Sequence, residues 1–125
     1  MSWSGTMTCT VTNQTGGTIT NLSILHQWEG FADAPNPNPT ASLAEGASIS
    51  FTINVGSGGS DEWSLRFIDA TGACWYRDQK QCDVEDEDLE SGQPVLVNLL
   101  NGNQGFSIEM PESSSCTDNY YDSCS

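Results

Sequence analysis

At 125 residues, with three basic side chains against seventeen acidic ones and a formal charge of −14, the chain has the size of one domain. It has no means of holding a polyanion. That balance excludes nucleic-acid binding and attraction to anionic membrane surfaces, and no run of about 18 apolar residues is present to cross a bilayer as a helix.

Apolar residues make up 36% of the chain, and they are grouped in alternating runs, the pattern of a folded sheet protein rather than of a disordered one. Residues 6–12 alternate threonine with Met7, Cys9 and Val11, so a strand is predicted with its apolar side inward. Asn13-Gln14-Thr15-Gly16-Gly17 is a turn. The next strand, from about Thr18 to Trp28, has Leu22, Ile24, His26 and Trp28 in one phase, and the two together predict a hairpin. Pro35, Pro37 and Pro39 at alternate positions predict a long surface loop over 29–40, outside any ladder. Ile49, Phe51, Ile53 and Val55 then alternate with polar residues in the clearest strand of the sequence, 47–55.

After a flexible Gly/Ser loop at 56–60, Trp63, Leu65 and Phe67 mark a strand over 62–68. Asp69-Ala70-Thr71-Gly72 turns it into a partner over 73–77. The acidic stretch over 79–92 is expected to be a loop. Apolar runs at 94–100 and 104–110 flank Asn101-Gly102, a strong hairpin cue. Beyond Pro111 there is no periodicity. The expected fold is all-β, an antiparallel β-sandwich of about seven to eight strands without a helix. It is expected as one domain over 1–110, followed by a Ser/Asp/Tyr/Cys-containing tail over 111–125.

Cysteine spacing bears on the compartment. Cys74 and Cys82 lie eight apart, as do Cys116 and Cys124, which suits two local disulfides and an oxidising, secreted or extracellular setting. Cys9 is left as a buried thiol or as the partner of another cysteine. The first residues lack the basic and apolar regions of a signal peptide, so the chain is expected to be cytosolic or a mature form with an added methionine.

His26 is the only histidine and lies in phase with apolar neighbours; no Gly-x-Ser-x-Gly elbow, P-loop or His-Glu-x-x-His motif accompanies it, so the expectation is not an enzyme. Asp83, Glu85, Asp86, Glu87, Asp88 and Glu90 crowd six carboxylates into eight residues. Hard oxygen ligands at that density suit calcium, with Asp61, Glu62 and Asp69 as further donors from neighbouring loops, although the EF-hand spacing is absent. The competing reading is a solvated acidic loop.

Among the aromatics, Trp28 and Phe31 flank the proline loop and Trp75 and Tyr76 are adjacent, so these four are the candidate ligand-binding residues; Trp3, Trp63, Tyr120 and Tyr121 complete the set. Asn13-Gln14-Thr15 and Asn21-Leu22-Ser23 match the glycosylation tripeptide.

The order of elements from about Thr6 to Met110 resembles the aegerolysins, small acidic β-sandwich proteins. The features concerned are an opening strand ending Val11-Thr12-Asn13, a strand ending His26-Gln27-Trp28, and a turn before Ile49-Ser50-Phe51. A Gly/Ser loop follows, then Trp63–Asp69 leading to Cys74-Trp75. The resemblance implies binding to membrane sphingolipids, sometimes beside a pore-forming partner. The Pro-Asn repeat, the acidic run and the cysteine-bearing tail depart from it. The functional expectation is a non-enzymatic recognition module that engages a lipid headgroup, a glycan or a protein partner through Trp28, Phe31, Trp75 and Tyr76. The alternative is a self-assembling structural protein of an extracellular layer or inclusion, disulfide-linked or calcium-stabilised, whose edge strands pair between copies.

Overall fold

The computed structural model describes residues 2–35, 40–101, 104–118 and 122–124. Two sheets pack face to face as an all-β sandwich. The first contains β1 (Ser4–Gln14), β5 (Ser48–Gly56), β8 (Val95–Leu100), β9 (Phe106–Glu109) and β10 (Cys116–Asp118), in the order β10-β9-β8-β1-β5. The second contains β2 (Ile19–Trp28), β3 (Phe31–Asp33), β6 (Glu62–Ile68), β7 (Cys74–Gln81) and β11 (Asp122–Ser123), in the order β11-β7-β6-β2-β3. A further strand, β4 (Thr40–Leu43), pairs the first half of β2. All pairings are antiparallel except β1 with β8, which run parallel with Cys9 opposite Val95 and Val11 opposite Val97.

The alternating apolar residues build the layer between the sheets as expected. Met7, Cys9 and Val11 of β1, with Ile53 and Val55 of β5, face Ile24, Trp63, Leu65 and Phe67 of the second sheet, all buried. The expected hairpins at 69–72 and around Asn101 form, with Phe67 opposite Trp75 and Val97 opposite Ile108; Gly102 itself lies outside the described residues.

Four expectations are corrected. First, β1 and β2 are not a hairpin but lie in different sheets. Asn13, fully buried, shapes the crossing: its Nδ2 donates to the carbonyls of Gly17 and Leu43 at 2.8 Å each, and its Oδ1 accepts from the Thr15 amide and hydroxyl. That amide nitrogen is therefore no glycosylation acceptor in the folded chain, whereas Asn21 is exposed, with φ 54° at a β-bulge. Second, the proline segment begins with β3, which enters the ladder because Ala32 and Asp33 precede the first proline. Asn36, Pro37, Asn38 and Pro39 lie outside the described residues.

Third, the acidic run contains a helix, α1 (Asp86–Ser91). Its first turn holds Asp86, Glu87 and Asp88, where negative charge meets the positive end of the backbone dipole. Asp88 Oδ2 accepts the Glu85 amide, and Gly92 closes the helix in the left-handed region at φ 72°. Fourth, the disulfides are Cys74–Cys124 and Cys82–Cys116, spanning 50 and 34 residues, rather than the two local pairs. The reason lies in the sheets: residues 116–118 pair with β9 and residues 122–123 with β7, which brings each tail cysteine to a distant one. The tail thus covers the outer strand of both sheets along one side of the sandwich. Cys9 is a buried free thiol.

Candidate functional site

The aromatic pair expected at the proline loop forms at one end of the sandwich. Trp28 and Phe31 stand directly opposite each other across the two-residue turn Glu29-Gly30, whose φ values of 45° and 85° are those of a tight hairpin of the primed type. Their rings stack at 7° with centroids 5.8 Å apart. Trp28 reaches across to the other sheet, where its ring lies against Gly56 at the end of β5. A Cβ on Gly56 would come within 2.5 Å of that ring, so a glycine is required there. The indole N–H donates to the Gly58 carbonyl at 2.8 Å. Phe31 is left 49% exposed over this fixed base. Beside it opens a shallow cleft of about 210 Å³, lined by Gln27, Glu29, Ala32, Ser60 and Glu62 as well as the aromatic pair.

Trp75 and Tyr76 do not join this platform. Gln27, next to Trp28, pairs Glu62, whereas Trp75 pairs Phe67, five residues further along β6, roughly 17 Å away at the usual rise of a strand. Trp75 packs half-buried against the core, its indole N–H donating to Asp69 Oδ2 at 2.8 Å. Tyr76 is half-buried between Arg66 and Asp122 on the neighbouring strands. Tyr120 and Tyr121 lie outside the described residues.

The six-carboxylate set does not converge either. The winding of α1 fans its carboxylates around the axis: Asp86, Glu87 and Glu90 face solvent, as does Glu85 just before the helix, while Asp88 is fully buried. Asp88 Oδ1 accepts the amides of Glu112 and Ser113 at 2.9 and 2.8 Å, and Oδ2 accepts the Glu85 amide and the Ser113 hydroxyl. Burial pushes this carboxyl up, but the Ser113 hydroxyl and the three amides outweigh it and hold the group below its ordinary value. Its role is to anchor the start of the tail. Asp83 accepts the Asp61 amide. Asp83, Glu85, Glu87 and Glu112 line an open groove of about 800 Å³ beside the Cys82–Cys116 disulfide. Among the described residues no group of three or more His, Cys, Asp or Glu is arranged to hold a metal ion.

Of the other donors expected for calcium, Glu62 lines the aromatic cleft, Asp69 closes its own turn and Asp61 is committed inside the protein. Asp69 Oδ1 accepts from the amides of Thr71 and Ala73 and from the Thr71 hydroxyl. Burial raises the Asp69 carboxyl, and the hydrogen bonds of Thr71, Trp75 and Ala73 bring it below its usual range.

Spacing alone did not reveal a buried cluster around His26. Its Nδ1 lies 3.0 Å from Asp33 Oδ2 and its Nε2 2.6 Å from Asp61 Oδ2, and its ring packs on Trp63 at 4.5 Å. A neutral imidazole has one N–H, so both contacts are hydrogen bonds together only when the ring has two protons or one carboxyl has its own. Asp33 also accepts the backbone and side-chain amides of Asn54, tying β3 to the other sheet at β5. Asp61 Oδ1 accepts the Val84 amide. His26 is 0% exposed and Asp61 2%, and the cluster joins β2 to β3, to β5 and to the segment after β7. The sequence did hold one sign of it: a histidine in the inward phase of a strand needs a buried polar partner.

No protein-family model matches the sequence, and no curated protein is a significant match. Among solved structures, the chain is similar to the NMR structure of a protein from Eubacterium rectale, with 18% identity and a TM-score of 0.49, over 87% of this chain and 91% of that one.

Proposed function

We propose that this protein is a non-enzymatic recognition module that binds a sugar ring, free or as the headgroup of a membrane lipid, on the Trp28–Phe31 platform. The observation that supports the reading is the open face of Phe31, stacked on an indole that is itself fixed by Gly56 and Gly58. One face of a sugar ring is a patch of C–H groups that packs on an aromatic plane, and its rim is hydroxyl. Gln27, Ser60, Glu29 and Glu62 line the adjoining cleft with donors and acceptors suited to that rim. Because the stack is already in place, little ordering entropy opposes docking.

The test is titration of the protein with soluble oligosaccharides, and co-sedimentation with neutral liposomes with and without a glycosphingolipid. Phe31→Ala should weaken whichever arm binds by about tenfold, the scale of a lost aromatic contact with its buried area. Unchanged affinity in Phe31→Ala would overturn the reading.

A second reading, self-association, is favoured by the outer face of β1 and β5. There Thr8 faces Thr52, Thr10 faces Ser50 and Thr12 faces Ser48, with no ionisable side chain among them, in a chain of charge −14. Copies that repel elsewhere would meet here at least cost. Sedimentation of wild type against Thr10→Asp/Thr52→Asp distinguishes it: a wild-type oligomer that the variant lacks supports it, and a wild-type monomer at high concentration removes it.

A further inference from the structure

We infer that the platform selects sugars bearing a protonated amine, an amino-sugar oligomer rather than its N-acetylated or acidic counterparts. This inference rests on the sugar-binding reading and names the ligand class for the same site. It starts from the two carboxylates of the cleft. Glu29 is the first residue of the turn that presents Phe31, and its side chain leans toward Gly58 and Gly59; a Cβ on Gly59 would collide with its carboxylate. Glu62 enters from β6, opposite Gln27. Among the described residues neither is in an ion pair, and no basic side chain lines the cleft. Arg77, one of only three cations in the chain, is engaged by Asp118.

Two features of different origin therefore ask for the same ligand. The exposed ring of Phe31 presents the negative face of its quadrupole, which attracts a cation as well as C–H groups. The two unpaired carboxylates beside it offer acceptors and charge to an ammonium group. A plain sugar uses the first feature and leaves the carboxylates uncompensated. A uronic or sialic acid meets repulsion from them and from the charge of the whole chain. An amino sugar uses both features at once. N-acetylation removes the charge and keeps the ring, so it separates the two contributions.

The experiment is calorimetric titration with short glucosamine oligomers and their N-acetylated equivalents, at mildly acidic pH and at low and high ionic strength. The proteins are wild type, Glu29→Gln/Glu62→Gln, Phe31→Ala and, as a control for bulk charge, Glu90→Gln, which alters an exposed acid on α1. Wild type should prefer the amine form by about tenfold, the combined scale of two exposed ion pairs, and the preference should shrink as salt rises. Glu29→Gln/Glu62→Gln should bind both forms alike, Glu90→Gln should keep the preference, and Phe31→Ala should weaken both forms. Equal affinity of wild type for the two forms, or a preference lost to the same degree in Glu90→Gln, would overturn the inference while leaving sugar binding intact. No binding of either form, with Phe31→Ala indistinguishable from wild type, would remove both.

Discussion

Asp61, the residue before β6, holds His26 on the neighbouring β2: its Oδ2 lies 2.6 Å from Nε2, and neither residue is open to solvent. The other oxygen of the same carboxylate takes the Val84 amide, so one side chain joins β2 to the segment that follows β7. Removing Asp61 leaves two buried polar groups, His26 Nε2 and the Val84 amide, without their partner. Asp61→Ala is therefore expected to cost about 1–3 kcal/mol for each group left unsatisfied, measured as a lower midpoint in urea at unchanged slope. A double-mutant cycle with His26→Gln should show coupling above about 1 kcal/mol. A loss below that value for Asp61→Ala alone would remove the cluster from the list of what holds the fold.

Asp88 makes stability depend on acid in a definite direction. Its carboxyl is held below its ordinary value in the folded chain, so the unfolded chain takes up a proton first as pH falls. The stabilisation is present above the unfolded value, about 4, and is lost as pH drops through the lower folded value. Asp88→Asn should be less stable than wild type at neutral pH, with the gap narrowing below about pH 4. A gap that stays constant across the titration would show that the charge of Asp88 contributes nothing.

Beyond its start, which Asp88 anchors, the tail is held by short pairings, three residues against β9 and two against β7, and the disulfides reinforce them. Cys82→Ser/Cys116→Ser is expected to cost roughly 2–4 kcal/mol and to make residues 111–118 accessible to limited proteolysis. Peptide mapping without reductant should recover Cys74 with Cys124 and Cys82 with Cys116. A peptide linking Cys74 to Cys82 would contradict the sheet order at the tail.

Burial pushes the Cys9 thiol up to about 12, and it is the thiolate that reacts with alkylating reagents. Cys9 in the folded protein should resist labelling at pH 8 for as long as the chain stays folded, and should label at once in denaturant. Rapid native labelling would place Cys9 outside the core.

What the sequence disclosed follows from the range of each interaction. Ile49, Phe51, Ile53 and Val55 announce β5 because alternation is local, and Asn101-Gly102 marks its hairpin for the same reason. Trp28 and Phe31 were found because a turn of two residues sets them opposite each other. The residues Asn13 to Gly17 make a turn in either case, and only the placement of β8 beside β1 decides that they cross between sheets. Cysteine spacing misled because the true partners are fixed by strand pairing 34 and 50 residues away. Asp33 and Asp61 could not be singled out among seventeen acidic residues, although His26 stood in the correct phase. The short helix did leave a trace, an acidic first turn ahead of Ser91-Gly92. It was obscured by the charge density of the run, which also describes a solvated loop.

The place of β1 governs how this chain reaches its native state. It is an inner strand of its sheet, yet its two neighbours come much later in the sequence: Cys9 meets Phe51 on one side and Val95 on the other. Pairings so distant must absorb loop-closure entropy before they give anything back, so folding belongs to the millisecond-to-second regime of non-local β topologies. During synthesis β1 leaves the ribosome long before β8 exists, a threonine-rich strand with both edges open. That interval is when the chain is most exposed to aggregation, and a lower growth temperature, which weakens apolar association between nascent chains, should raise the soluble yield.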